Sequence, residues 1–316
     1  MTGERMSNIR VEGLVKTYGA VRALDGLDLQ VESGSVFGFL GPNGAGKTTT
    51  MRILTGLARP TSGKAWVAGM DLDTNGRALS RRIGYLPEEP SFYPWMTPGE
   101  FLDYLGRLYG LQLKIRSARV RELLDLVKLG DSARRRIGGF SRGMRQRLGL
   151  AAALVNQPEV LFLDEPASAL DPAGRKEVLD LIEGLRGQCT VLMSTHILAD
   201  VERVCDVIGI MARGKLITQS PRQVLLDQVT TPIFEIEVED GNALQVWAES
   251  GRKQAWVVSI EILGNKARIV VNDITLAKHE LLANLLQAGL VISRYEELKP
   301  SLEDVFLRLV AGEGLK

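Results

Sequence analysis

Residues Gly41, Pro42, Asn43, Gly44, Ala45, Gly46, Lys47 and Thr48 follow the pattern G-x-x-x-x-G-K-[ST], the spacing of a loop that wraps a triphosphate. Glycines at 41, 44 and 46 permit positive φ and close backbone approach, so successive N–H groups and a helix N-terminus can face phosphate oxygens. Lys47 would then reach the β- and γ-phosphates, and the hydroxyl of Thr48, with Thr49 beside it, would meet a magnesium ion. A second chemical group is the adjacent pair Asp164 and Glu165. One carboxylate there suits holding Mg²⁺ through water, and the other suits polarising a water that attacks a γ-phosphate. Taken alone, an apolar run ending in Asp-Glu is common and carries little.

These groups need elements to hold them. Ser35 to Leu40 reads as a buried strand entering the phosphate loop, and Lys47 to Leu57, with Met51, Leu54 and Leu57 at helical spacing, as the helix leaving it. The apolar run Val160 to Leu163 reads as a strand that delivers Asp164 and Glu165 to its end, and Thr190 to Ser194 as another. Earlier strands are expected at Ile9 to Val15, Leu27 to Val31, Lys64 to Val67 and Ile83 to Leu86. Thr97-Pro98-Gly99-Glu100 has the form of a capping box with proline at the first helical position, and Phe101, Leu105 and Leu108 follow at helical spacing. A second helix carries Val120, Leu123, Leu124 and Val127, so residues 97 to 139 read as a helical insertion.

At 316 residues the chain is long enough for two domains. Residues 1–8 read as a disordered tail, 9–220 as an α/β domain and 221–316 as an accessory domain. In the last, strands at 233–239, 255–263, 267–271 and 290–295 alternate with helices near 243–249 and 275–287, a βαββαβ order. A last helix is expected from Ser301, with Asp304 as its capping partner. Lys plus Arg (39) nearly cancels Asp plus Glu (38), so no global field favours nucleic acid or an anionic membrane surface. The two cysteines, Cys189 and Cys205, lie in apolar surroundings without metal-ligand spacing and read as core residues. No run of 18 apolar residues occurs, so no membrane span is expected within the chain.

Between the phosphate loop and Asp164 lies Phe140-Ser141-Arg142-Gly143-Met144-Arg145-Gln146-Arg147, and beyond it come Ser168-Ala169-Leu170-Asp171 and Ser194-Thr195-His196. In that order these segments resemble the ATP-binding cassette (ABC) ATPases over about residues 9 to 220. The resemblance implies an α/β P-loop NTPase core with a helical insertion, joined here to a small ferredoxin-like α+β domain. It implies ATP and Mg²⁺ as cofactors and ATP hydrolysis as the activity. Tyr18 matches the aromatic that stacks on adenine, although a plain loop aromatic is the structural alternative. Ser141 and Gly143 match the residues that contact the γ-phosphate held by a second subunit, which requires a homodimer or a heterodimer with a related ATPase. Asp171 matches the loop linking the two sites, His196 the residue sensing the γ-phosphate, and Glu165 the group activating water.

Two positions depart from the family pattern. Glu88 stands where a glutamine is usual after Tyr-Leu-Pro; it can ligand a metal through oxygen but adds charge and cannot donate when ionised. Arg142 and Met144 stand where glycine and glutamine are usual. Six arginines between 134 and 147 read as a solvated helix start near a phosphate rather than a nucleic-acid patch. The stretch Phe92-Tyr93-Pro94-Trp95-Met96 is either a set of core contacts or the groove where, in the resembling family, a membrane subunit docks. The reading is thus the ATPase subunit of a transporter whose permease is a separate chain, placed at the cytoplasmic face of the cell membrane. Leu298 to Phe306 resembles the extension of ABC-2 drug and polysaccharide exporters, which favours export. A soluble ABC ATPase acting on ribosomes or DNA is the alternative. A regulatory or sugar-binding role for residues 221–316 would change the partners and not the chemistry.

Overall fold

A computed structural model describes residues 7–168, 170–228, 233–298 and 306. Two compact units divide the chain, residues 1–222 and 223–316.

The first unit opens with a long hairpin, β1 (Ser7–Tyr18) and β2 (Val21–Glu32), whose alternating residues Ile9, Val11, Leu27, Leu29 and Val31 are buried. Ser7 and Asn8, read from sequence as the end of a tail, belong to β1, where the Asn8 amide donates to Thr190 Oγ1 at 2.8 Å. Next come β3 (Val36–Leu40), α1 (Lys47–Leu54), β4 (Ser62–Val67), β5 (Met70–Asp71), α2 (Leu72–Leu79) and β6 (Ile83–Leu86). The helix α1 is shorter than its apolar spacing suggested. Thr55 Oγ1 donates to the Met51 carbonyl at 2.8 Å and Gly56 turns left-handed with φ 76°, which ends the helix and leaves Leu57 exposed.

The chain continues through α3 (Pro98–Leu108), α4 (Leu113–Leu126), α5 (Arg142–Ala153), β7 (Val160–Asp164), α6 (Pro172–Gly184), β8 (Thr190–Thr195), α7 (Leu198–Val204), β9 (Val207–Ala212), β10 (Lys215–Pro221) and α8 (Arg222–Gln228). The capping box expected at α3 forms in full, with the Glu100 N–H bonded to Thr97 Oγ1 and the Thr97 N–H to the Glu100 carboxylate. An antiparallel sheet runs β2-β1-β4-β5, and a mixed sheet runs β10-β9-β3-β8-β7-β6. From β9 to β6 the mixed sheet is parallel, with β10 antiparallel at its edge. Strands β3, β7 and β8 are buried along their whole length, as parallel strands covered on both faces are. Between the two sheets, Met51, Ile53 and Leu54 of α1 join Phe37, Phe39 and Phe162 in one core. Each such side chain contributes roughly 1.5–3 kcal/mol by burial.

The second unit holds β11 (Ile233–Val238), α9 (Gly241–Gly251), β12 (Val257–Leu263), β13 (Lys266–Val271), α10 (Ile274–Gln287) and β14 (Ile292–Leu298). Its antiparallel sheet runs β12-β13-β11-β14, the split arrangement that the βαββαβ order requires. It has a core of its own, built around Phe234, Trp247, Trp256, Ile269, Leu281 and Leu285. The helix expected from Ser301 lies outside the described residues apart from Phe306, which is helical. Both cysteines are free and buried, as core residues should be.

Candidate active site

Strand order assembles the site. In a parallel sheet the side chains just past the carboxyl ends of neighbouring strands share one crevice. Here β3, β8, β7 and β6 lie side by side and deliver, in that spatial order, the phosphate loop, His196, the Asp164–Glu165 pair and Glu88. The strand from sequence position 190 is inserted between two strands that precede it, so His196 lands between the loop and the carboxylates.

In the loop, Gly44 (φ 80°) and Gly46 (φ 107°) adopt left-handed backbone. Gly41 does not, contrary to its expected positive φ; it is needed for space, because a Cβ there would lie 2.3 Å from the Met211 carbonyl oxygen. Pro42, Asn43 and Gly44 are exposed, whereas Ala45 and Gly46 are buried and the Ala45 carbonyl accepts from the Gly214 N–H at 2.9 Å. Lys47 is buried, with its ammonium donating to the Gly41 carbonyl at 2.6 Å and lying 3.6 Å from Glu165 Oε1. Burial lowers its pKa, and Glu165, Asp164 and Glu88 oppose that shift. Thr48 Oγ1 donates to Asp164 Oδ1 at 3.2 Å, and Thr49 follows it in the first turn of α1, half-buried.

Asp164 and Glu165 are both buried. Glu165 is one of the few non-glycine residues with positive φ (48°), a conformation that costs energy and is held by its surroundings. Its N–H donates to Ser194 Oγ at 3.0 Å, and its Oε2 lies 2.9 Å from His196 Nδ1. Thus Lys47, Thr48, Asp164, Glu165 and His196 form one bonded cluster. Thr48 and Asp164 place two hard oxygen donors within 3.2 Å of each other, a donor set that fits a magnesium ion keeping most of its waters. Among the described residues no group of three or more His, Cys, Asp or Glu gathers as a metal cage.

The other expected residues stand apart from the cluster. Tyr18 ends β1 with an exposed ring, over which Lys16 Nζ sits 4.7 Å from the centroid. Ser141 is exposed and caps α5, accepting from the Met144 N–H at 3.2 Å; Gly143 lies in the first turn of that helix. Asp171 caps α6, accepting from the Gly174 N–H at 3.2 Å. Glu88 is exposed just beyond β6. With Glu89, Pro90, Phe92, Arg142 and Gln146 it lines a cavity of about 450 Å³. Of the aromatic stretch, Phe92 and Pro94 line this cavity, while Tyr93 packs on Trp95, Phe101 and Tyr104 with ring centroids 5.2–6.4 Å apart.

Ser194, which the sequence marks as a strand end and the start of the Ser-Thr-His run, touches both carboxylate residues. Its signal was a hydroxyl at the carboxyl end of a buried strand, two residues before His196. An ion pair between half-buried Arg175 and buried Asp200, Nε to Oδ1 at 2.7 Å, also ties α6 to α7 and carried no motif.

A phosphate loop opening onto a strand-end carboxylate pair defines a P-loop nucleoside triphosphatase, and the inserted α3 and α4 with the capped α5 mark the cassette type. Residues 24–168 match the family described as ABC transporter, and residues 223–310 match the C-terminal domain of DrrA1-3-like ATP-binding proteins. The chain is 42% identical over 305 residues to the uncharacterized ABC transporter ATP-binding protein YxlF of Bacillus subtilis, covering 96% of this chain and 99% of that one. It is 37% identical to the daunorubicin resistance ATP-binding protein DrrA3 of Streptomyces coeruleorubidus, covering 96% of each. Among solved structures it is similar to an ATP-binding subunit of an ABC transporter (TM-score 0.62, 30% identity, 70% of this chain and 92% of that one). A dimeric ATP-binding cassette bound to ADP and phosphate shares the fold (TM-score 0.63, 23% identity, 68% of this chain and 98% of that one). The chain belongs to the ABC transporter ATP-binding proteins: it binds ATP and is an ATPase.

Proposed function

We propose that this subunit powers export through a separate membrane-spanning permease, and that two cassettes close head to tail around two ATP molecules. The carrying observation is the single cluster in which Lys47 and Thr48 from the phosphate loop meet Asp164, Glu165 and His196 from the two neighbouring strands. A triphosphate in the loop offers the Lys47 ammonium oxygens in place of the Gly41 carbonyl, and its charge offsets the cost of burying the lysine. Magnesium, held by the Thr48 hydroxyl and Asp164, would neutralise charge developing on the β- and γ-phosphates. Glu165, with a buried carboxylate and a bond to His196, is placed to take a proton from water, and His196 to orient that carboxylate and report on the γ-phosphate.

Ser141 and Gly143 lie outside the cluster at an exposed helix N-terminus, an arrangement suited to gripping the γ-phosphate of a second subunit. The exposed Arg142 next to them adds positive charge at that contact. Export is supported by the relatives that carry the same accessory domain, one of which is named for daunorubicin resistance. Among the described residues no helix is long and apolar enough to cross a membrane; a permease on another chain, with this subunit at the cytoplasmic face of the membrane, is supported by relatives named as transport and resistance ATP-binding proteins. None of the relatives cited favours the ribosome or DNA alternative.

The test is the Glu165→Gln variant saturated with MgATP, followed by light scattering. The variant should lose turnover and become dimeric; a strictly monomeric form, alone and with its permease, would overturn the clamp. Purification from its own cells should bring down a polytopic membrane protein.

A further inference from the structure

We propose that Ser194 is a positioning residue, which holds the metal-binding carboxylate and the water-polarising residue in fixed relation. The inference rests on the functional reading above. Strands β7 and β8 are parallel with Asp164 directly opposite Ser194. Side chains opposite one another on neighbouring strands project to the same face, so Ser194 meets Asp164 while its neighbours Met193 and Thr195 point the other way. The hydroxyl is fully buried. It donates its hydrogen to Asp164 Oδ1 at 2.6 Å and accepts the Glu165 N–H at 3.0 Å.

Both bonds bear on chemistry. A hydroxyl has one proton to give, and giving it to Oδ1, which also receives the Thr48 hydroxyl, fixes the rotamer of Asp164. Its lone pair meanwhile satisfies the amide of a residue in left-handed backbone, so the turn that aims the Glu165 side chain is tied to the same atom. A buried hydroxyl is costly unless bonded, and here its bonds go to the Asp164 carboxylate and the Glu165 N–H. Removing groups that orient metal ligands typically costs 10–100-fold in metal affinity or activity.

The experiment uses the full chain and four variants: Ser194→Ala, Ser194→Thr, Ser194→Val and Glu165→Gln. Thr and Val have nearly the same shape and differ by the hydroxyl, which separates bonding from packing. Turnover and the binding of Mn²⁺ to the ATP-loaded protein, read by electron paramagnetic resonance, are both measured. The Ala and Val variants should lose roughly tenfold or more in kcat and in Mn²⁺ affinity, with KM for ATP little changed, and Thr should restore both. Wild-type kcat and Mn²⁺ affinity in the Ala and Val variants overturn the proposal, as does equal impairment of Thr and Val. Turnover that survives in Glu165→Gln would instead strike the underlying reading of the site.

Discussion

Gly41 and Gly46 are fixed by two different constraints, and a single methyl group tests each. A Cβ at Gly41 would lie 2.3 Å from the Met211 carbonyl oxygen; at Gly46 it would lie 2.7 Å from that of Ala23, with φ at 107° as a further strain. Backbone atoms cannot swing aside as a flexible side chain can, so Gly41→Ala should cost about 2 kcal/mol or more. For a unit of this size that lowers the melting temperature by roughly 4–8 °C, measurable by calorimetry. Titration separates the buried thiols from ordinary ones. Burial raises Cys189 to about 11 and pushes Cys205 higher still, packed beneath Gly38 of β3. At pH 8 only about one Cys189 in a thousand is thiolate, and the thiolate is the reactive form. Labelling of the native chain with a thiol reagent should therefore be negligible, and fast in denaturant. Because folding favours the protonated thiols, this stability is present below about pH 9, near the ordinary thiol value, and is lost as pH rises toward 11.

Among the elements, α3 is the most independent in its local signals. Thr97, Pro98 and Glu100 specify its start, and replacing Thr97 by Ala should cost about 1 kcal/mol, read from denaturant unfolding. The preceding loop divides its aromatics between two duties. Phe92 sits on Phe101 with ring centroids 5.2 Å apart and lines the cavity beside Gln146, whereas Trp95 is 61% exposed. The Nε2 of Gln146 is buried there without a partner. If this loop receives the permease, Trp95→Ala should reduce transport several-fold while sparing the ATPase of the isolated subunit; equal loss of both would count against docking. Helix ends were legible where a side chain caps them in a local pattern, as at Thr97. At α1 they were not, because the stop is made by Gly56 turning left-handed two residues beyond the helix, while the apolar spacing runs on to Leu57.

At the scale of the molecule, each unit closes its own core, so separation is the decisive measurement. A chain ending at Arg222 should fold, bind nucleotide and keep its circular dichroism, since its buried residues come from its own sheets and helices. Its failure to fold would show that the second unit contributes to the stability of the first. The accessory unit keeps its two tryptophans within its own core: Trp247 and Trp256 are buried, and Trp256 Nε1 donates to Glu280 at 2.8 Å.

Sequence alone determined the chemistry of each segment, because phosphate grip, carboxylate pairing and helix capping depend on residues within a few positions of one another. It also determined the type of each element it read, since apolar periodicity is local, but left α2, α6, α7, β9 and β10 unread. Only tertiary structure decided that β8 lies between β3 and β7, which sets His196 against Glu165 and Ser194 against Asp164. In that order β7 pairs with β8 across 30 positions and β3 with β8 across 155, and no local pattern encodes it. The same holds for Gly41, whose need for glycine comes from the backbone of Met211 rather than from its own φ.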